Sequence, residues 1–109
     1  MATLKKPLLV FATLVLASSA TFALDDAARK TLMTDNKCFK CHAVSEEKDA
    51  SSYHKIAGKY SGKADAASKL FTHLTTGPMV KIDDADEHHA KLKASDADIK
   101  DVIAWILKQ

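Results

Sequence analysis

The stretch Cys38-Phe39-Lys40-Cys41-His42 decides how the rest of this sequence is interpreted. Its C-x-x-C-H spacing is typical of covalent attachment of a c-type haem. Two thiols that add to the two vinyl groups of one porphyrin must lie a fixed distance apart, and two intervening residues supply one helical turn of reach. We therefore predict thioether bonds from Cys38 and Cys41, with the imidazole of His42 as the proximal iron ligand.

Haem attachment is favoured over a redox disulfide, a zinc site and a chance occurrence of the motif. A thioredoxin-like redox disulfide would sit in a βαβ pattern, which the sequence lacks. A structural zinc site usually takes four Cys or His ligands from two separated pairs. Chance is disfavoured by the histidine that directly follows the second cysteine, and by the absence of any other cysteine. One covalent haem c with its iron is the cofactor that we predict.

Residues 1–23 have the composition of a signal peptide. Lys5 and Lys6 precede an apolar run over residues 7–17, and small residues follow up to a cleavage tripeptide, Thr21-Phe22-Ala23. Cleavage after Ala20 is the second choice. A membrane anchor is the alternative, but the apolar run is short for a bilayer. We expect export to the periplasm and no stable membrane insertion after processing.

Residues 24–109 form the predicted mature chain, a single domain of 86 residues. A domain of this size usually needs support beyond its hydrophobic core, and a bound haem would supply it. Without Lys5 and Lys6 the chain has 14 basic and 14 acidic residues. This balance gives no reason to expect a nucleic-acid surface, and we expect a monomer.

Helical periodicity dominates the mature chain. Apolar residues recur at helical spacing, and the short or polar stretches between them suggest loops. Thr76-Gly77-Pro78 is a helix stop, and Ser95 with Asp98 resembles a capping box at the start of the last helix. No alternating strand pattern is evident, so we predict an all-α fold. The predicted helices cover residues 24–37, 53–60, 64–75 and 95 onward, with loops at 45–53 and 81–92.

Beyond the haem motif, the sequence resembles the class I bacterial cytochromes c, in particular the short cytochrome c-551-like group. The resemblance covers residues 24–109 and includes Tyr53-x-x-Ile-Ala-x-x-Tyr60, the Thr-Gly stop, and an aliphatic last helix with Trp105. It implies N- and C-terminal helices that cross beside the haem, and a distal loop that supplies a sixth iron ligand. It also implies one-electron transfer with redox protein partners.

The sequence departs from this family's pattern after the haem motif. Family members usually have Gly-Pro there, and the proline carbonyl orients the proximal imidazole. Ser51-Ser52 stands at the corresponding positions of this chain. Such a partner sets the basicity of the ligand. The support of His42 is therefore open, although Ser52 has a carbonyl that would serve.

The sixth iron ligand is the second departure. The family ligand is a methionine, and Met79 in Gly77-Pro78-Met79 is the one methionine after the haem motif. An ungapped register from Trp105 and Ser95 instead gives His89, which lies 47 residues after His42, against 37 for Met79. We favour His89, and keep Met79 and then His88 as alternatives. The remaining candidates, His54 and His73, are weaker.

The function that we predict is one-electron transfer by a periplasmic carrier. No side-chain pair resembles a general acid and base, so we do not predict an enzyme, and the haem itself supplies the redox chemistry. Two alternatives remain open. One is a haem protein whose labile sixth ligand gives way to small gaseous ligands. The other is a haem subunit within a larger oxidoreductase complex.

Overall fold

The structure is a computed structural model that describes residues 2–4, 6–14 and 23–109. Residues 20–22, and with them most of the predicted cleavage region, lie outside the described residues. The described chain contains five helices and one two-stranded sheet: α1 (Asp26–Asp35), α2 (Cys38–Cys41), α3 (Tyr53–Tyr60), α4 (Ala66–Thr76), β1 (Met79–Ile82), β2 (Ala85–His88) and α5 (Asp96–Leu107).

Three helices begin where a short polar side chain caps the first turn. The carboxylate of Asp25 accepts a hydrogen bond from the backbone of α1, and the hydroxyls of Ser52 and Ser95 do the same for α3 and α5. Such caps satisfy backbone N–H groups that have no partner within the helix. Helix α3 has the bounds predicted from the sequence, and α5 begins directly after the predicted Ser95.

The core forms where α1, α3, α4 and α5 meet. Met33 and Val102 are almost wholly buried, at 1% exposure. Trp105 is only partly buried, and its ring meets that of Tyr53 edge-to-face at 5.3 Å between centroids. Arg29 on α1 also donates a 3.0 Å hydrogen bond from Nε to Asp101 on α5. The buried cluster consists of Met33, Tyr53, Leu70, Leu92, Ile99, Val102, Ile103 and Ile106.

The prediction of a loop over residues 81–92, and of a chain without strands, was wrong. Strands β1 and β2 pair antiparallel from Met79↔His88 to Ile82↔Ala85. Val80 and Ile82 are half-buried while their strand neighbours are exposed, which is the alternation of a short strand. The two-residue connection Asp83-Asp84 has positive φ angles of 47° and 64°, as a tight hairpin turn requires.

The described part of the N-terminal segment does not contribute to the core. Its large apolar side chains at residues 8–11 and 14 are 76–90% exposed. Among the described residues, no helix combines the length and apolar character needed to cross a membrane.

Candidate functional site

The C-x-x-C-H motif begins at a sharp change of chain direction after α1. Lys37 precedes α2 with a φ of 59°, so the chain leaves α1 and immediately starts a single new turn. The side chain of Asn36 holds this corner, because its Oδ1 accepts a 2.8 Å hydrogen bond from the backbone of Lys93. Cys38 and Cys41 are therefore the first and last residues of one helical turn, and both thiols are partly exposed and outside any disulfide.

His42 is oriented by a main-chain carbonyl and by an aromatic ring. Its Nδ1 donates to the carbonyl oxygen of Ser51 at 2.6 Å, and its ring stacks on Tyr53 at 5.1 Å between centroids. The sequence offered the carbonyl of Ser52 as the hydrogen-bond partner of His42, but the structure shows the carbonyl of Ser51 in that role. The hydroxyl of Ser52 instead caps α3. The bond fixes which ring nitrogen carries the proton, so Nε2 of His42 is left for a metal.

Burial shapes the chemistry next to the motif. Removal from water raises the pKa of the Cys38 thiol, although a hydrogen bond with Tyr53 opposes the rise. Burial also raises the pKa of the Tyr53 phenol, and the neighbouring Cys38 adds to this effect. Removal from water thus favours the neutral form of both side chains.

His89 lies opposite His42. The two ring centroids are 6.3 Å apart and the rings are inclined by 42°. Nδ1 of His89 donates to the carbonyl oxygen of Ala90 at 2.8 Å. The other ring nitrogen, Nε2, is therefore the one left to bind a metal. Two imidazoles that share one metal ion bring their centroids about 6 Å apart, since each metal–nitrogen bond is about 2 Å and each centroid lies about 1 Å farther back. The separation of His42 and His89 fits a single iron between them.

The other candidate ligands lie differently. Nδ1 of His88 is 3.0 Å from the carbonyl oxygen of Gly77, and the side chain is exposed. Met79 is 55% exposed at the start of β1, where it pairs with His88 across the hairpin. His54 lies on the exposed surface of α3, with Nδ1 3.2 Å from the carbonyl oxygen of Gln109. In the described part of the chain, His42 has a ring contact with His89 and none with His88 or His54.

His73 belongs to the site, although it ranks among the weaker ligand candidates in the sequence. Its ring meets that of His89 edge-to-face at 4.5 Å between centroids. The side chain is half-buried, and burial lowers its pKa, with smaller contributions from His89, His42 and Lys59. Helical periodicity places His73 on the same face as the buried Leu70 and Gly77, three and four residues away. This spacing is a signal for burial of His73, but it carries no information about the contact with His89.

Comparison with known proteins identifies the fold. The sequence matches the cytochrome c family over residues 27–109. The chain belongs to the cytochrome c family. Among solved structures, it is similar to the class 1 cytochrome MtoD from Sideroxydans lithotrophicus ES-1, with 48% identity and a TM-score of 0.74 over 79% of this chain and 97% of that chain. Cytochrome c552 from Nitrosomonas europaea gives 30% identity and a TM-score of 0.60 over 72% and 96%. A search of curated proteins found no match.

This cytochrome therefore has the class I fold and is a haem electron carrier. Its family binds haem c covalently, and Cys38 and Cys41 lie in the C-x-x-C-H element. The described residues fit that cofactor, because two thiols one helical turn apart flank a histidine whose Nε2 is available. The predictions of a class I cytochrome c fold and of a haem c cofactor are confirmed. The helical prediction holds apart from the hairpin of β1 and β2.

Proposed function

We propose that this cytochrome is an exported one-electron carrier whose haem iron is ligated by His42 and His89. Thioether bonds from Cys38 and Cys41 would hold the haem. When bound, the haem supplies reversible one-electron chemistry at its iron. The protein's own part is to hold both imidazoles in place, so that little rearrangement accompanies the gain or loss of an electron.

The approach of the His42 and His89 rings to 6.3 Å carries this proposal. Each imidazole also donates Nδ1–H to a main-chain carbonyl. Histidines that ligate metals almost always have such a partner, which fixes the tautomer and raises the basicity of the coordinating nitrogen. Met79 and His88 are exposed, whereas His89 is half-buried beside the ring of His42, and this favours His89 over both alternatives.

Three alanine variants test the ligand assignment. His89→Ala should remove the low-spin spectrum of a six-coordinate iron and open the ferrous protein to CO. Met79→Ala should leave the oxidised and reduced spectra unchanged, as should His54→Ala, the matched control at an exposed histidine of α3. The oxidised wild type should lack the weak far-red band of methionine-bound ferric iron. If that band is present and Met79→Ala abolishes it, the bis-histidine assignment is wrong.

Rapid CO binding by the unmodified ferrous protein would contradict stable ligation by His89. It would instead favour a protein that binds small gaseous ligands at its iron. A wild type that excludes CO, together with a reactive His89→Ala variant, agrees with an electron carrier.

Export and processing are the second part of the proposal. The composition of residues 1–23 supports it, as does the exposure of the apolar side chains at residues 8–11 and 14. Intact mass measurement should give the chain from Leu24 to Gln109 plus one haem, and N-terminal sequencing should begin at Leu24. A purified protein that begins at Met1 would refute the cleavage. If the protein is cleaved as proposed, fractionation of the cells should locate the processed form in the periplasm.

A further inference from the structure

The segment that carries His89 rests on the C-terminal turn of α4. Three contacts hold it there: His89 donates its backbone N–H to Pro78 at 2.8 Å, Leu92 donates to Leu74 at 2.8 Å, and Nδ1 of His88 contacts the carbonyl oxygen of Gly77. The ring of His73 adds an edge-to-face contact with the ring of His89. We name the residues His73, Leu74, Gly77 and Pro78 the α4 shelf.

Gly77 is the point of closest approach. A Cβ atom at this position would lie 2.5 Å from the carbonyl oxygen of His89 and 3.2 Å from the side chain of Lys91. The first distance is far inside van der Waals contact, and the atom it meets belongs to the main chain. A side chain at position 77 would therefore displace the backbone of His89 instead of a flexible group.

The displacement cannot be absorbed locally. Bonds to Pro78 and Leu74 pin the segment on both sides of the contact, at His89 and Leu92. Nδ1 of the His89 imidazole is also tied to the next carbonyl, that of Ala90. A shift of the main chain at His89 is therefore passed on to the imidazole.

We propose that the α4 shelf positions His89 as the sixth iron ligand, and that Gly77 is the positioning residue on which this depends. The inference rests on the bis-histidine ligation proposed above. It adds that the sixth ligand is held by the packing of a helix end, so that ligation is sensitive to a residue that touches neither iron nor porphyrin. Partners of a ligating histidine typically change metal affinity by about 10- to 100-fold when they are lost.

The test compares Gly77→Ala with Gly62→Ala in the haem-loaded protein. Both glycines have positive φ angles, 59° and 73°, so alanine is strained at both. A Cβ at Gly62 would meet no atom within 4 Å, whereas at Gly77 it meets His89. The pair therefore separates the contact with His89 from the backbone strain that both variants share.

We expect Gly77→Ala to raise the rate of CO binding to the ferrous protein by about 10- to 100-fold, the range for loss of a ligand's support. Its ferric electron paramagnetic resonance spectrum should also shift, since the g values depend on the relative orientation of the axial imidazoles. Gly62→Ala should match the wild type in both measurements. Equal CO rates and spectra for the two variants would overturn the proposal.

His73→Ala is the second test. It is the deciding experiment in the event that Gly77→Ala does not accumulate with haem. Loss of the edge-to-face contact with His89 should shift the ferric electron paramagnetic resonance spectrum and raise the rate of CO binding. His54→Ala is the matched control, because His54 lies on the exposed face of α3. Identical behaviour of the two histidine variants would overturn the role of the shelf. A methionine-ligated wild type would instead refute the bis-histidine proposal, and the wild-type spectrum alone reveals it.

Discussion

His42 is supported by the main chain, and this makes a prediction at the scale of one residue. The carbonyl oxygen of Ser51, not its hydroxyl, accepts from Nδ1 of His42. Ser51→Ala should therefore leave the reduction potential unchanged, because every residue has a carbonyl. Ser52→Ala should cost about 1 kcal/mol in the free energy of unfolding, because the Ser52 hydroxyl caps α3.

Voltammetry and denaturant unfolding of the two serine variants separate these roles. A change of potential in Ser51→Ala would mean that the hydroxyl contributes to the support of His42. An unchanged stability of Ser52→Ala would mean that its bond to the backbone of Lys55 contributes nothing. Neither substitution should alter the attachment of haem to Cys38 and Cys41.

Some of the residue-scale detail could be derived from sequence and some could not. The spacing of Cys38, Cys41 and His42 follows from covalent chemistry, which is local to five residues, and the structure keeps them together on one turn. The choice between the carbonyls of Ser51 and Ser52 depends on how residues 43–51 return to the motif. The contacts of His89 with His73 and Gly77 depend on the hairpin between them, which was not predicted.

At the scale of elements, helix bounds were the more predictable feature. Helix α3 has the predicted bounds, and Gly77 ends α4 in the left-handed conformation, since the signals for both lie in adjacent residues. The hairpin was missed because its apolar alternation spans only Val80 and Ile82. Strand β2 is exposed at every position and has no apolar face to recognise.

The hairpin turn gives a prediction about an element. Asp83 and Asp84 both adopt positive φ, a conformation that aspartate tolerates but glycine adopts without steric cost. Asp84→Gly should therefore raise the free energy of unfolding by about 0.5–1 kcal/mol, because relief of the left-handed conformation outweighs the greater entropy of glycine in the unfolded chain. Asp-Gly is also a preferred pair in two-residue hairpin turns. Thermal unfolding of the haem protein measures the change. Asp49→Gly, in an exposed loop without positive φ, is the control and should bring no gain.

A lower melting temperature for Asp84→Gly would show that Asp84 does not adopt positive φ in solution. An unchanged melting temperature would show that the hairpin unfolds separately from the core. Separate unfolding is distinguishable, because hydrogen exchange of the strand amides would then be fast while the helices remain protected. Retention of the wild-type spectrum is expected in either case. The turn lies at the far end of the hairpin from His89.

At the scale of the whole molecule, the axial ligands connect the fold to the reduction potential. A methionine thioether raises the potential of a haem relative to other ligand sets, whereas a second imidazole donates more strongly and favours ferric iron. The acidic side chains of Asp83, Asp84, Asp86 and Glu87 are exposed, so solvent screens their effect on the potential. We therefore expect a lower potential here than in methionine-ligated relatives, and partners of matching potential.

The variant His89→Met tests that connection in one protein. Hydrogen bonds from the backbone at His89 and Leu92 fix this segment to α4, so a methionine at residue 89 starts from the position of the proposed ligand. If its sulfur replaces the imidazole, the potential should rise and the far-red band of methionine-bound ferric iron should appear. His54→Met, at an exposed histidine of α3, is the control and should change neither. A potential that stays fixed while the band appears would mean that burial and charge around the haem, and not the sixth ligand, determine which partners this cytochrome serves.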